Sequence, residues 1–268
     1  MTFSGFASAD LAFLTGLAAN NDRDWFAAHR AAYDDGLKPA LAALIAETST
    51  ACAALDLPLS GDPKRSVFRI HRDTRFAKDK RPYKTHVSCT LTRDGRKMSP
   101  GMMYIHIEPE GGSRPGFDPD SIDPLDPSTH PSAQTEAAED GPFGNGPFVA
   151  CGFYLDERPQ IDAVRRFIVA QPARWAAVEA ALAKAGLTLD PGAPVKRMPK
   201  GFEDQAGTDL ETALKRTRWL VSRPLTGAEI ASADLPATLA SFAASSRPLL
   251  DFGWSALDRE SPSGSVHI

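Results

Sequence analysis

The residues from Phe68 to His86, FRIHRDTRFAKDKRPYKTH, hold the densest set of groups in the chain able to do chemistry. Arg69, Arg72, Arg75, Lys78, Lys80, Arg81 and Lys84 stand there against only Asp73 and Asp79. So many like charges in one segment repel one another unless a bound anion, or carboxylates from elsewhere in the fold, sit among them. The pattern predicts an anion-handling loop in which Arg69, Arg72 and Arg75, with Lys80 and Lys84, close on phosphate or carboxylate oxygens. Lys78 and Arg81 read as solvated turn positions. The competing reading is structural: Asp73, Asp79 and distant carboxylates satisfy the cations, and the loop is an internal ion-pair hub. Both readings stand at this stage. A second basic segment, VKRMPKGF at 195–202, adds Lys200 as a further clamp, since Gly201 lets backbone approach a ligand closely; a charged surface turn explains it equally well.

His71 and His106 are the candidate proton-transfer groups. A neutral imidazole there could act as general acid or base, or ligate a metal with Asp73 and Glu108. No spacing of metal-binding type supports the second role, and a lone histidine on a half-buried strand is more often a hydrogen-bonded core residue, so no metal is expected. Tyr83 and Tyr104 could bond an anionic ligand, with aromatic packing as the plainer role. The chain lacks a phosphate-cradling P-loop, a dinucleotide fingerprint and a nucleophile elbow. No catalytic residue or cofactor is assigned.

The elements that must position these groups begin as helices. Ser8 can cap a first helix carrying Leu11, Leu14 and Leu17, ended by Asn20 and Asn21; Asp22 can cap a second, with Trp25, His29 and Tyr33 on one face. Caps and a buried aromatic pair account for Asn20, Asn21, Trp25 and Phe26. Gly36 is expected to interrupt this helix. Pro39 suits the first turn of a third, striped by Leu41, Leu44, Ile45, Thr48, Cys52 and Leu55. Strands are predicted at 65–72, 86–92, 102–108, 148–155 and 218–223, the second and third alternating apolar with polar residues. Pro159 and Pro172 open further helices, and a short one covers Asp209 to Leu214. A last helix runs from Leu235 to Leu257, with Pro248 expected to kink or split it. Helices, then strands, then helices predict an α+β fold: a mainly antiparallel sheet of four to six strands packed by the N-terminal and C-terminal helices.

The chain has 268 residues and a formal net charge of −4. Between 109 and 147 eight acids face Arg114 alone, a net of −7, which leaves +3 for the remainder. That stretch also lacks an apolar period, and we expect an acidic, Pro/Gly-rich insertion loop within a single domain spanning 1–258, followed by a loose tail at 259–268. An acidic lid over the cationic loop is one role for it, a solvated spacer the plainer one. Cys52, Cys89 and Cys151 are odd in number and embedded in apolar patterns, as suits reduced core thiols. With no secretory leader and no apolar run of bilayer length, a soluble, cytoplasmic protein is expected, without membrane association.

NNDRDWF at 20–26, FRIHRDTRFAKDKRPYKT at 68–85, YIHIEPE at 104–110, CGFY at 151–154 and KRMPKGF at 196–202 together resemble a widespread bacterial and fungal family catalogued as a domain of unknown function, with the signature FRIxRDTRFxxDKxPYKT. The resemblance runs from Phe6 to about Leu257. It implies one α+β domain and brings no activity, cofactor or catalytic residue. The acidic insertion departs from the family, where a short Gly-rich connection joins the two strands. The leading expectation for function is binding of a phosphorylated or polyanionic small molecule through the loop, with catalysis open. The alternatives are a nucleic-acid-binding module, disfavoured by the acidic total, and a structural or partner-binding protein; no protein partner is indicated.

Overall fold

The structure, a computed structural model, describes residues 2–76, 79–109 and 146–260. The acidic insertion, apart from its edges, and most of the C-terminal tail lie outside the described residues, as do Ala77 and Lys78.

Helix α1 (Ser8–Ala19) opens differently from expectation: Ala7 is the cap residue and Ser8 the first helical position. Asp10, three residues on, reaches back to accept the Ala7 N–H at 2.8 Å, so a carboxylate inside the helix does the work assigned to Ser8. Asp22 caps α2 (Arg23–Ala28) as predicted, accepting the Trp25 N–H at 2.8 Å. Gly36 does not break the chain's helical course. Residues Ala32–Leu37 form a π-turn that runs directly into α3 (Lys38–Ala54), and the wider turn steps past Pro39, which has no N–H to donate. Gly36 is needed there for another reason: a Cβ on it would stand 2.8 Å from an Asp10 carboxylate oxygen.

Four strands, β1 (Val87–Thr92), β2 (Met102–Ile107), β3 (Phe148–Tyr154) and β4 (Arg218–Pro224), form one antiparallel sheet in the order β1-β2-β3-β4. Every residue of β1 and β2 is buried, including the polar set Ser88, Thr90, Thr92 and His106 expected opposite the apolar face. Thr90 and Thr92 are satisfied there, donating to the Lys97 and Arg96 carbonyls at 2.8 and 2.7 Å.

The predicted strand at 65–72 is a correction. It pairs with β1 and its approach only through isolated antiparallel bridges, Val67 with Cys89 and His71 with Tyr83. The Phe68 N–H meets the Ser88 carbonyl and the Lys84 N–H meets the Ile70 carbonyl, so Arg69 alone faces Thr85, His86 and Val87. That bulge breaks the ladder, and Pro82, without a donor, limits it beyond.

Helices α4 (Arg158–Ala170) and α5 (Pro172–Lys184) carry Pro159 and Pro172 in their first turns, followed by α6 (Glu211–Lys215), α7 (Gly227–Ile230) and α8 (Leu235–Glu260). Pro248 does not split α8. Its cost of about 3 kcal/mol is outweighed by the burial of Leu249, Leu250 and Phe252, each contributing roughly 1.5–3 kcal/mol.

The described residues fall into two compact units. The first draws on Met1–Ser99, Met103–Ala150 and Ser222–Ala244, and the second on Pro100–Met102, Cys151–Val221 and Ser245 onward. Cys52, Cys89 and Cys151 are buried thiols, and burial pushes the Cys52 thiol up to about 11. No described helix is long and apolar enough to cross a membrane.

Candidate functional site

A cavity of about 400 Å³ opens within the first unit. Its lining comes from α2 and the turn after it (Arg23, Phe26, Ala27, Arg30), from the π-turn and the start of α3 (Tyr33, Asp34, Lys38), and from the two limbs of the cationic loop (Arg69, Ile70, His71, Tyr83).

The limbs are held against the helices by two contacts. The Asn21 side chain makes a reciprocal pair with the Tyr83 backbone, its amide donating to the carbonyl at 2.9 Å and its oxygen accepting the N–H at 3.0 Å. Phe26 stacks on the Tyr83 ring, centroids 4.2 Å apart and planes within 13°. His71 leans on both rings, 5.9 Å from Phe26 and 5.1 Å from Tyr83, and Tyr33 packs 5.8 Å from Phe26. Asn21 and Phe26, explained from sequence as a cap and a core residue, thus fix where the loop begins and ends. Trp25 stacks on His29 instead, at 4.0 Å.

The cations of the loop divide sharply. Arg72, its side chain only 6% exposed, donates to Asp79 at 2.7 Å and to the Arg81 carbonyl at 3.3 Å. Arg81, expected to be solvated, forks onto the same carboxylate at 2.6 and 2.8 Å. Arg81 first, then Arg72, hold the Asp79 carboxyl far below the usual carboxylate range. Arg75 forks onto Asp73 at 2.6 and 2.9 Å and brings its carboxyl down to about 2. Lys80 ties the loop's backbone, donating to the Thr74 and Arg75 carbonyls at 2.9 and 3.4 Å. Lys84 is buried, its ammonium 5.8 Å from the Phe68 ring. Lys200 lies exposed in a turn of the second unit.

Arg69 alone of the predicted anion-binding set lines the cavity. There it joins cations that sequence reasoning passed over: Arg23, Arg30 and Lys38. Asp34 answers two of these, Arg30 at 2.9 Å and Lys38 at 3.7 Å, and the Arg30 bond holds its carboxyl below the ordinary value. Among the described residues no hydrogen bond or ion pair engages the guanidinium of Arg23 or Arg69. Asp73 feels Arg69 only at a distance. A signal for the missed residues was present: Arg23, Ala27, Arg30, Asp34 and Lys38 recur at three and four residues and so share a helical face.

The two candidate histidines part company. His71 lines the cavity, exposed, with no hydrogen bond to its ring among the described residues. His106 is not among the lining residues and is buried on β2, 3.4 Å from a Glu108 oxygen and 3.5 Å from the Tyr104 hydroxyl. It stacks on Phe148 at 4.7 Å and lies 4.1 Å from the His86 ring. No group of three His, Cys, Asp or Glu suited to a metal exists among the described residues.

A family described as "Conserved hypothetical protein (DUF2461)" has a model that matches residues 9–117 and 143–252, passing over 118–142 inside the acidic segment. Neither a curated protein nor a solved structure matches the chain.

Proposed function

Because the chain belongs to this DUF2461 family of conserved hypothetical proteins, whose description carries no activity, we propose its function from the cavity: it binds a phosphorylated or otherwise polyanionic small molecule. The reading rests on one observation: Arg23 and Arg69 line the same hollow, and neither guanidinium has a hydrogen-bond or ion-pair partner among the described residues. A guanidinium has five donors in a planar fork, and phosphate or carboxylate oxygens match that fork two at a time. Arg30 and Lys38 add charge at the rim, partly neutralised by Asp34. Arg72, Arg75, Lys80 and Arg81, in this reading, shape the loop that carries Arg69. The buried thiols favour a reducing compartment, and we place the protein in the cytoplasm.

Calorimetric titration with inorganic phosphate and pyrophosphate at low salt tests the proposal. We expect saturable binding with one site per chain, and at least a tenfold loss in Arg69→Met. A duplex or single-stranded oligonucleotide binding more tightly than either, with affinity falling steeply with salt, would point to the nucleic-acid reading instead. No binding of any of these would sink the anion site.

A further inference from the structure

We propose that the ligand of this cavity carries a planar aromatic or heteroaromatic ring beside its phosphate, so that the substrate class is an aryl or heteroaryl phosphate rather than a bare or aliphatic one. The inference rests on the anion reading above and adds what the cavity's other half recognises.

Size comes first. Some 400 Å³ of space would hold on the order of a dozen waters, each taking ~30 Å³ of liquid, whereas a phosphate has only five heavy atoms. The cavity also sits near the lower end of the range that takes compact organic ligands. A single phosphate would fill only a small part of it, which leaves room for the body of a larger ligand.

The lining shows what that is. Apart from its charged groups it consists of Phe26, Ala27, Tyr33, Ile70, His71 and Tyr83, four of the six being rings. Phe26 and Tyr83 are stacked on one another and buried, which fixes a rigid wall. His71 stands against this wall with its plane turned 59° from Phe26 and 58° from Tyr83, exposed. It is therefore free to stack on an incoming ring. Its nitrogens and the Tyr33 hydroxyl have no hydrogen bond among the described residues, so polar atoms at a heterocycle's edge would find both a donor and an acceptor. An aliphatic ligand would gain apolar contact here but would forgo the ring-on-ring stacking that a planar ligand makes.

A separate observation marks the same place. Tyr33 and Asp34 stand in the π-turn Ala32–Leu37, a widening of the helix that occurs mostly as short insertions and is frequent at functional sites. Tyr33 lies both in that turn and on the cavity lining, and burial raises its hydroxyl's pKa, keeping it a neutral donor.

The test titrates the full chain with phenyl phosphate, glycerol phosphate and inorganic phosphate at one salt concentration. We expect phenyl phosphate to bind at least tenfold more tightly than either of the others. His71→Ala should reduce the phenyl-to-glycerol phosphate affinity ratio at least threefold, while Arg69→Met weakens all three probes together. Equal affinities for the three probes would overturn the ring inference and leave the anion site standing. Binding of none would overturn both. A ratio unchanged in His71→Ala would remove His71 as the stacking platform, and the wild-type comparison decides the substrate class whether or not a variant folds.

Discussion

Two sets of cations, the loop arginines Arg72, Arg75 and Arg81 and the cavity-wall pair Arg23 and Arg69, are built from the same residue type and have opposite fates. In the loop, Arg72 and Arg81 converge on Asp79 and Arg75 closes on Asp73, so each of these three guanidinium groups meets a carboxylate within ten residues of sequence. In the wall, Arg23 and Arg69 line one cavity from positions more than forty residues apart, and no carboxylate among the described residues pairs with either. Charge density therefore says little about binding; what matters is which charges the fold has left with donors to spare. The loop is a brace, and the wall is where a ligand would gain most.

Cutting the brace at its centre should give the largest effect. Asp79→Asn takes from the nearly buried Arg72 its charged contact at 2.7 Å, and we expect a loss of about 2 kcal/mol, below the ~3–5 kcal/mol of a fully buried pair because Asp79 keeps some contact with water. Urea unfolding followed by tryptophan fluorescence checks it. A midpoint equal to wild type would mean the loop's charges are not bracing anything. Asn21→Ala comes next: it removes both bonds to the Tyr83 backbone and should cost roughly 1–2 kcal/mol by the same measurement. It should also weaken phosphate binding, since the returning limb that carries Tyr83 is released.

On the wall the signs reverse. Arg23→Met and Arg69→Met should shift stability by no more than about 0.5 kcal/mol, because neither side chain has a hydrogen bond or ion pair to lose among the described residues. Each should nonetheless reduce phosphate affinity at least tenfold, about 1.4 kcal/mol of binding. Variants that unfold the protein, or that bind as well as wild type, would erase the distinction between the two regions.

How much of this was legible beforehand follows the same divide. The α+β class, four of the five strands and the proline-led helices could be read because period and punctuation are local signals. The 65–72 segment could not be resolved, since a bulge of three residues against Arg69 depends on a partner strand rather than on its own alternation. Arg69 and His71 were named from charge and residue type. Arg23, Arg30, Tyr33 and Lys38 were hidden because their face was read for its aromatics, and because the π-turn at Ala32–Leu37 changes which side chains point together. Asn21 was missed for the plainest reason: its partner lies sixty-two positions away.

The weakest contrast lies inside the brace itself and is read by pH. Both Asp73 and Asp79 have folded pKa values below the unfolded carboxylate value near 4. Their stabilisation is thus fully present above about pH 4 and is lost as pH falls toward 2, where Asp73 takes its proton, and below, where Asp79 does. The two do not count equally. Arg75 and Asp73 are 77% and 40% exposed, and water screens that pair to little effect, whereas Asp79 acts on a nearly buried Arg72. We therefore expect acid unfolding curves between pH 5 and 2 to be nearly superimposable for wild type and Arg75→Met, and visibly flatter for Asp79→Asn. An Arg75→Met curve as flat as that of Asp79→Asn would show that the exposed pair carries the loop after all.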